Sequence, residues 1–550
     1  MNTPLPRRIN LIFIPIFLYL CLALPKINQP VTDDEWFEIA NAEAILNSTH
    51  IRLHVPPLYD SILACCIKIA GPSEAVLRIP GLISAIAAIA LLYMLALRIF
   101  PDRKHGSLLL IAPILLSINP AFVQGSLLVH IDNTILIPLI LAWLLAWDSY
   151  LTTGRRSQLI AAILFLGISL LAKYSTPILI LFALSCWTVV KDRKRIGKYL
   201  ILGIGGIALF LFLWLVLSRM LNLDYFGSFK YVFSRVKTYA EMDRFRMILA
   251  NVITLSLWMS PGIILSLALI IKRERDGVGL WNVPWHICVA GVFLYVCVSS
   301  VNHGFPKYYL PAVPLIAALL SAGIDLDRCK QYLRNRRVLI FCAVTTGSVY
   351  LLDPVYLYRF GLRQALATGI MPTSLKGEIG ICLLLVVVAV VCILVIMRKE
   401  RSLSAATEFV LFWVVAWSLG QSLCQATAPY QTNYSYGERG TRQLEKVLAR
   451  LIDEHDNCRI IAINDITWRL GLDDQHLELT YWFDPEGIAS DLLDDRTQAI
   501  AISIPSHPIR NYRLVMDDEA ISVILKENYE LRRIGTYYLW TRNSSKDAAL

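Results

Sequence analysis

Charge is scarce in this chain. Only 17% of its 550 residues are Asp, Glu, Lys or Arg, while 56% are hydrophobic. A soluble domain carries about 25% charged and 45–50% apolar residues, so the composition excludes an ordinary soluble protein and makes a membrane protein the default. A cysteine framework is lacking as well. Most of the twelve cysteines, such as Cys186, Cys288, Cys297, Cys342, Cys382 and Cys392, lie inside apolar runs, where the thiol behaves as a small hydrophobe. Only Cys458 falls in the hydrophilic tail, so no disulfide is expected there. The adjacent Cys65 and Cys66 have no metal-ligand spacing. No small-residue cleavage site ends the first apolar run; Pro25-Lys26 follows directly, which reads as a retained anchor rather than a signal peptide. Internal repeats and low-complexity stretches are absent. The net charge of +10 does not point to nucleic acid, because the basic residues sit in short clusters between apolar runs rather than in a binding stripe.

What is present is a series of apolar runs long enough to approach the ~20 residues that a bilayer core requires. About thirteen can be placed: 9–25, 79–99, 107–124, 132–149, 158–172, 176–190, 199–218, 250–271, 285–302, 309–324, 338–352, 378–397 and 406–424. Arg7-Arg8, Arg103-Lys104, Arg155-Arg156, Lys191 to Lys198, Lys272 to Arg275, Arg328 to Arg337 and Arg398 to Arg401 then all fall on one side. That agreement predicts a cytoplasmic N-terminus, and an odd number of spans puts the C-terminal tail outside. From about Tyr430 the composition turns mixed and polar. A helix is expected over Gly437–Asp456, with Leu444, Val447, Leu448 and Leu451 on one face, and another near 485–495. Arg459–Ile463 and Ala499–Ile504 read as buried strands. The expected fold is a polytopic α-helical membrane domain over residues 1–429 and a small extracytoplasmic α/β domain over 430–550.

The residues able to do chemistry gather on the outer side. Asp33-Asp34-Glu35 follows the first span; capping of the next helix accounts for one carboxylate there but not for three. Asp132 opens an apolar helix after His130-Ile131, either as its N-cap or as a second carboxylate sharing the work of base and positioning group. Lys173, in Leu171-Ala172-Lys173-Tyr174-Ser175-Thr176-Pro177, breaks the charge bias. It either snorkels to headgroups or meets a phosphate. The loop at 219–249 interleaves basic residues, including Arg235 and Lys237, with aromatics. Phe226, Phe229, Phe233 and Val236 fall at helical spacing, which suits surface anchoring or a polyprenyl phosphate equally. His303-Gly304-Phe305-Pro306-Lys307-Tyr308-Tyr309-Leu310-Pro311 adds another outer lysine. Together these read as the working end of a membrane enzyme that handles a lipid-linked substrate.

In this order the pieces resemble the membrane glycosyltransferases of the GT-C superfamily. The similarity is to family 39 and its relatives, which include the protein O-mannosyltransferases and the lipid A aminoarabinose transferase. It covers the first 320 residues. Asp34-Glu35 resembles the acidic pair of the first outer loop, and His54-x-Pro56-Pro57-Leu58-Tyr59 the HPPLYY-like motif, with Val55 inserted. Gly71-Pro72-Ser73-Glu74 with Arg78-Ile79-Pro80 resembles the segment entering the second span, Lys173-Tyr174 the KY turn, and Lys307-Tyr308 with its prolines a later outer segment.

The resemblance implies transfer of a hexosyl or pentosyl group from a polyprenyl-phosphate-sugar donor to a lipid, glycan or protein acceptor, with inversion, on the outer face of the membrane. It implies Asp34 as general base, with Glu35 and Asp132 orienting the acceptor or supporting that base. Lys173 and Lys307 would neutralise the departing phosphate, with Tyr308, Arg235 and Lys237 on the donor phosphate or lipid. Asp33, His54, Tyr59 and His303 would line the pocket. His54-Val55 replaces the Glu-Lys expected before the prolines in the aminoarabinose branch, and no large module is inserted between mid-chain spans as in the protein mannosyltransferase branch. Asp33-Asp34-Glu35 with His54 could hold a hard divalent cation, but the two lysines could replace it and no metal or other cofactor is assigned. The rival class is a transporter or flippase of a lipid-linked substrate, which should show repeated halves and mid-span ionisable groups. Size and layout favour a bacterial inner membrane.

Overall fold

A computed structural model describes residues 10–31, 35–48, 57–99, 108–129, 135–221, 256–262, 306–322, 326–357, 373–400, 403–427, 440–455, 458–462, 470, 485–503, 518–535 and 537–543. Its helices are α1 (Phe13–Ala23), α2 (Glu35–Asn47), α3 (Leu58–Ala70), α4 (Glu74–Ile99), α5 (Leu108–Ser117), α6 (Pro120–Ser126), α7 (Leu136–Thr153), α8 (Arg156–Ala172), α9 (Ser175–Lys191), α10 (Ile196–Met220), α11 (Val313–Ala322), α12 (Leu326–Arg334), α13 (Arg336–Leu352), α14 (Thr373–Glu400) and α15 (Leu403–Thr427). A C-terminal group follows: α16 (Thr441–Glu454), β1 (Arg459–Ile461), α17 (Pro485–Leu493), β2 (Thr497–Ser503), α18 (Glu519–Asn528), β3 (Tyr529–Ile534) and β4 (Tyr537–Arg542).

Contacts divide the chain into two units: residues 1–27 with 41–427, and residues 28–40 with 428–550. The first unit is helical and carries its apolar surface outward. Phe17, Ile204, Phe212 and Leu383 are all more than half exposed, an arrangement that hydrocarbon stabilises and water does not. Among the described residues four helices are long and apolar enough to cross a membrane, and a bent pair makes a fifth. Shorter apolar helices cover the described parts of the expected spans at 9–25, 158–172, 176–190, 309–324 and 378–397, and α13 covers 338–352. The expected span at 285–302, and most of that at 250–271, lie outside the described residues.

One expected span is not a single helix. The run at 107–124 breaks at Ile118-Asn119 into α5 and α6, bent by 62°. Asn119 is extended there, its side chain accepts the Phe122 N–H at 3.1 Å, and Pro120 opens the new helix. A side-chain cap followed by proline at the first helical position starts a helix rather than continuing one.

Small residues let the spans approach. A Cβ on Gly206 would meet Leu166, and one on Gly167 would meet Leu209, so α8 and α10 pack through glycines, as close-packed spans do. Gly420 of α15 is tighter still. A Cβ there would lie 2.5 Å from the Thr346 carbonyl oxygen of α13, a backbone atom that cannot swing aside. Gly420→Ala should therefore separate these helices and destabilise the protein by about 1–3 kcal/mol. A lowered unfolding midpoint in mild detergent checks this, and an unchanged midpoint refutes the close approach.

The second unit holds a four-stranded sheet in the order β1-β2-β4-β3, with β1 parallel to β2 and the other pairs antiparallel. Side chains alternate along a strand, and β2 shows it. Ala499 and Ala501 join Leu444 and Leu448 of α16 on one face. Ile500 and Ile502 join Leu492 of α17 with Ile521 and Leu525 of α18 on the other. Arg459 pairs with Asp491 at 2.5 Å, and the Arg496 guanidinium beside Asp494 holds that carboxyl down at about 2. Burial pushes the Tyr529 hydroxyl up to about 12; it donates to the carbonyls of Leu492 and Thr497. Residues 28–40, with the acidic stretch, cluster with this unit, and Arg442 of α16 donates to the Asn28 carbonyl at 3.2 Å.

Candidate functional site

Three sequence-predicted site residues have described side chains, and all are buried. Glu35 is the first residue of α2 and is 3% exposed. Tyr59 lies in the first turn of α3, fully buried. Lys173 is the C-cap of α8, its backbone extended, and is 8% exposed. Lys307 and Tyr308 fall in a 3-10 segment, Pro306–Ala312, whose backbone alone is described at those two positions. Asp33, Asp34, His54, Asp132, Arg235, Lys237 and His303 lie outside the described residues, as does the interfacial helix expected at 226–236.

Several elements that carry or flank these positions in the first unit pack on one another. The helix α3 packs on α4 and on α8, so Tyr59 and Lys173 sit on touching helices. The Pro306–Ala312 segment packs on α6 and α7, the two helices on either side of the link that holds Asp132. Gly125 makes that contact close, since a Cβ there would lie 2.5 Å from Leu310 Cδ1. The helices α1 and α6 are tied by a 2.6 Å hydrogen bond between the Tyr19 and Ser126 hydroxyls. Thus the chain leading from α1 toward Asp33-Asp34 and the chain leading from α6 toward Asp132 start from one fastened pair of helices.

Sequence reasoning gave no role to several buried polar groups. Asp60, adjacent to Tyr59 and fully buried, accepts a 3.3 Å hydrogen bond from Asn41 Nδ2, which links α3 to the C-terminal half of α2. Arg78, 1% exposed, donates to the Glu74 carbonyl at 2.9 Å. The helix α15 presents Ser418, Gln421 and Ser422 inward. Ser422 Oγ donates to the Ile118 carbonyl at 2.8 Å, at the α5–α6 break, and Ser418 Oγ to the Met259 carbonyl at 3.0 Å, just before Ser260-Pro261. Trp417 Nε1 donates to the Leu257 carbonyl at 2.6 Å. Carbonyls freed where an apolar helix ends need such donors, because hydrocarbon supplies none. The only warning in the sequence was the spacing of 418, 421, 422 and 425, one helical face of polar residues in an apolar run.

Among the described residues no group of three or more His, Cys, Asp and Glu could hold a metal ion; Asp33, Asp34 and His54 lie outside that set. Lys173 sits in a weakly screened setting, where a lysine ammonium acts on a nearby anion more strongly than in water. Such a site can hold a phosphate at a buried lysine beside a tyrosine-bearing helix.

The family model described as dolichyl-phosphate-mannose-protein mannosyltransferase matches residues 54–217, which include His54, Tyr59, Asp132 and Lys173. Among solved structures, ArnT from Cupriavidus metallidurans bound to undecaprenyl phosphate is similar with a TM-score of 0.57 at 14% identity, over 98% of both chains. The same protein in its apo state gives 0.53 at 12% identity, again over 98% of both. At such identities the likeness shows the fold. No curated protein sequence matches the chain.

Proposed function

We propose that this chain is a membrane glycosyltransferase of the GT-C superfamily, related to the protein O-mannosyltransferases, a reading supported by the family match over residues 54–217 and by the fold it shares with ArnT. Use of a lipid-linked donor goes with that class, and a transporter is not favoured. In our reading the donor is one hexosyl or pentosyl group on a polyprenyl phosphate, the lipid bound by the ArnT neighbour. Transfer takes place on the outer face of the membrane, in a bacterial envelope the periplasmic side of the inner membrane. The acceptor hydroxyl belongs to a lipid, glycan or protein.

Asp34 removes the proton from the acceptor, with Glu35 and Asp132 orienting it. The oxygen attacks the anomeric carbon opposite the leaving phosphate and inverts it. As that bond breaks, charge grows on the phosphate oxygens, and Lys173 and Lys307 stabilise it where it develops. Tyr308, Arg235 and Lys237 hold the phosphate and the start of the lipid, while Asp33, His54, Tyr59 and His303 shape the pocket. The observation that carries the reading is Lys173: a buried lysine at the end of α8, inside the matched segment, on a helix packed against the one that bears Tyr59.

Purified protein in lipid, given a panel of polyprenyl-phosphate sugars and an envelope extract, should release free polyprenyl phosphate with one sugar and label an acceptor with the inverted linkage. Failure of every donor in the panel to release polyprenyl phosphate, or transfer with retained configuration, would overturn this mechanism.

A further inference from the structure

The polar face of α15 ends in two amides whose oxygens have no partner among the described residues. Ser418, Gln421, Ser422 and Gln425 recur at i, i+3, i+4 and i+7, so they share one side of the helix. Ser418 and Ser422 each close a bond to a carbonyl of another segment. Gln421 is fully buried and spends its Nε2 on Asp353 Oδ1 at 2.8 Å, but its Oε1 has no partner among the described residues. Gln425, one turn further and 3% exposed, likewise has an Oε1 without a partner. A buried acceptor left unpaired loses its hydration without recompense, and leucine in its place would avoid that cost. Two such oxygens, neighbours on one helix face, therefore call for an explanation.

The chemistry of the missing partner is restricted. An amide oxygen needs a hydrogen-bond donor. A phosphate diester offers only acceptors, and a polyprenyl tail offers neither. Of the parts of a lipid-linked donor, only the hydroxyl or amino groups of its sugar can satisfy both oxygens. The placement agrees. The helix α15 packs on α1, on the turn Leu24–Lys26 that follows it, and on α6. Those are the elements from which the chain runs to Asp33-Asp34 and to Asp132.

We propose that Gln421 and Gln425 form a sugar-binding subsite in which their amide oxygens accept hydrogen bonds from hydroxyl or amino groups of the donor's or the acceptor's sugar. The inference rests on the glycosyltransferase reading and deepens it. Gln425→Leu tests it with little risk to the fold, since the oxygen it removes bonds to no described residue. Its unfolding midpoint in mild detergent, without ligand, should equal or exceed that of the wild type.

Two readouts then separate the sources of the sugar. In the first, wild type and Gln425→Leu are heated with bare polyprenyl phosphate and with the panel of polyprenyl-phosphate sugars. If the donor sugar binds here, the sugar-bearing lipid stabilises the wild type beyond the bare lipid, and the substitution removes that increment. Its donor KM then rises about tenfold, the worth of one hydrogen bond of this kind, while kcat changes less. If the acceptor sugar binds here, the donor increment survives and the acceptor KM rises instead. A variant that turns over both substrates with unchanged KM and keeps the sugar-dependent increment overturns the subsite while leaving the enzyme assignment intact. A fall in the ligand-free midpoint also overturns it, because the amide would then be structural. A wild type that neither turns over any donor nor gains stability from any sugar-bearing lipid overturns both proposals.

Discussion

Asp34→Asn should lower the turnover of sugar transfer by about 10²–10⁴-fold, the usual contribution of a positioned general base. Asparagine keeps the shape of the side chain and its capacity to accept one hydrogen bond, but it cannot take a proton from the acceptor hydroxyl. The loss should fall on kcat, with the donor still stabilising the variant against heat, because the base acts only as the transition state forms. Three neighbouring carboxylates provide the comparison. Glu35 opens α2 and is buried, so Glu35→Gln should give a smaller loss and a lowered unfolding midpoint. Asp33→Asn should give the least loss of the three. If Asp34→Asn turns over like the wild type while Glu35→Gln or Asp33→Asn is inactive, the base is reassigned along the same stretch. Three active variants would remove base catalysis from this loop.

How far the sequence could carry this argument differs by region, for physical reasons. The second unit was legible because its elements are built from local periodicity. The alternation Ala499-Ile500-Ala501-Ile502 announced a strand buried on both faces, and the helix expected over Gly437–Asp456 is observed over Thr441–Glu454. The strand β3 was not foreseen. Four of its six residues, Glu530 to Arg533, are exposed on a sheet edge, and a charged edge strand looks like any solvated segment. The break at Asn119-Pro120 was missed because hydropathy averages over a window, and one capping side chain hardly moves that average. The grouping of residues 28–40 with the distant second unit depends on contacts between residues far apart in sequence, which no local pattern encodes.

The candidate site was legible where motifs are linear. Pro56-Pro57-Leu58-Tyr59 and Lys173-Tyr174 could be picked out by eye, and Tyr59 and Lys173 prove buried on touching helices. The Asn41–Asp60 bond joins residues nineteen apart through folding alone. Gln421 and Gln425 were hidden for a different reason. An isolated amide in an apolar run looks like noise until its neighbours are known, and only the structure shows that Ser418 and Ser422 are paired while two amide oxygens have no partner among the described residues.

Lys173→Met should reduce kcat by about 10²–10³-fold, the scale reported when one donor aimed at developing charge is removed. Methionine retains most of the apolar stem, so the change isolates the ammonium. Lys173 also caps the C-terminus of α8, where a cation interacts favourably with the helix dipole by about 0.3–1 kcal/mol. That capping role predicts a small fall in unfolding midpoint and no change in kcat. The catalytic role predicts a large fall in kcat, and one that depends on the leaving group. Donors whose phosphate is a poorer leaving group should suffer more from Lys173→Met than better ones, because more charge must be stabilised as the glycosyl bond breaks. Lys173→Arg keeps the charge but spreads it over a wider, planar head, so it should recover part of the rate without restoring the wild-type value. A Lys173→Met enzyme with unchanged kcat and a slightly lowered midpoint would reduce this lysine to a helix cap and leave the phosphate to Lys307.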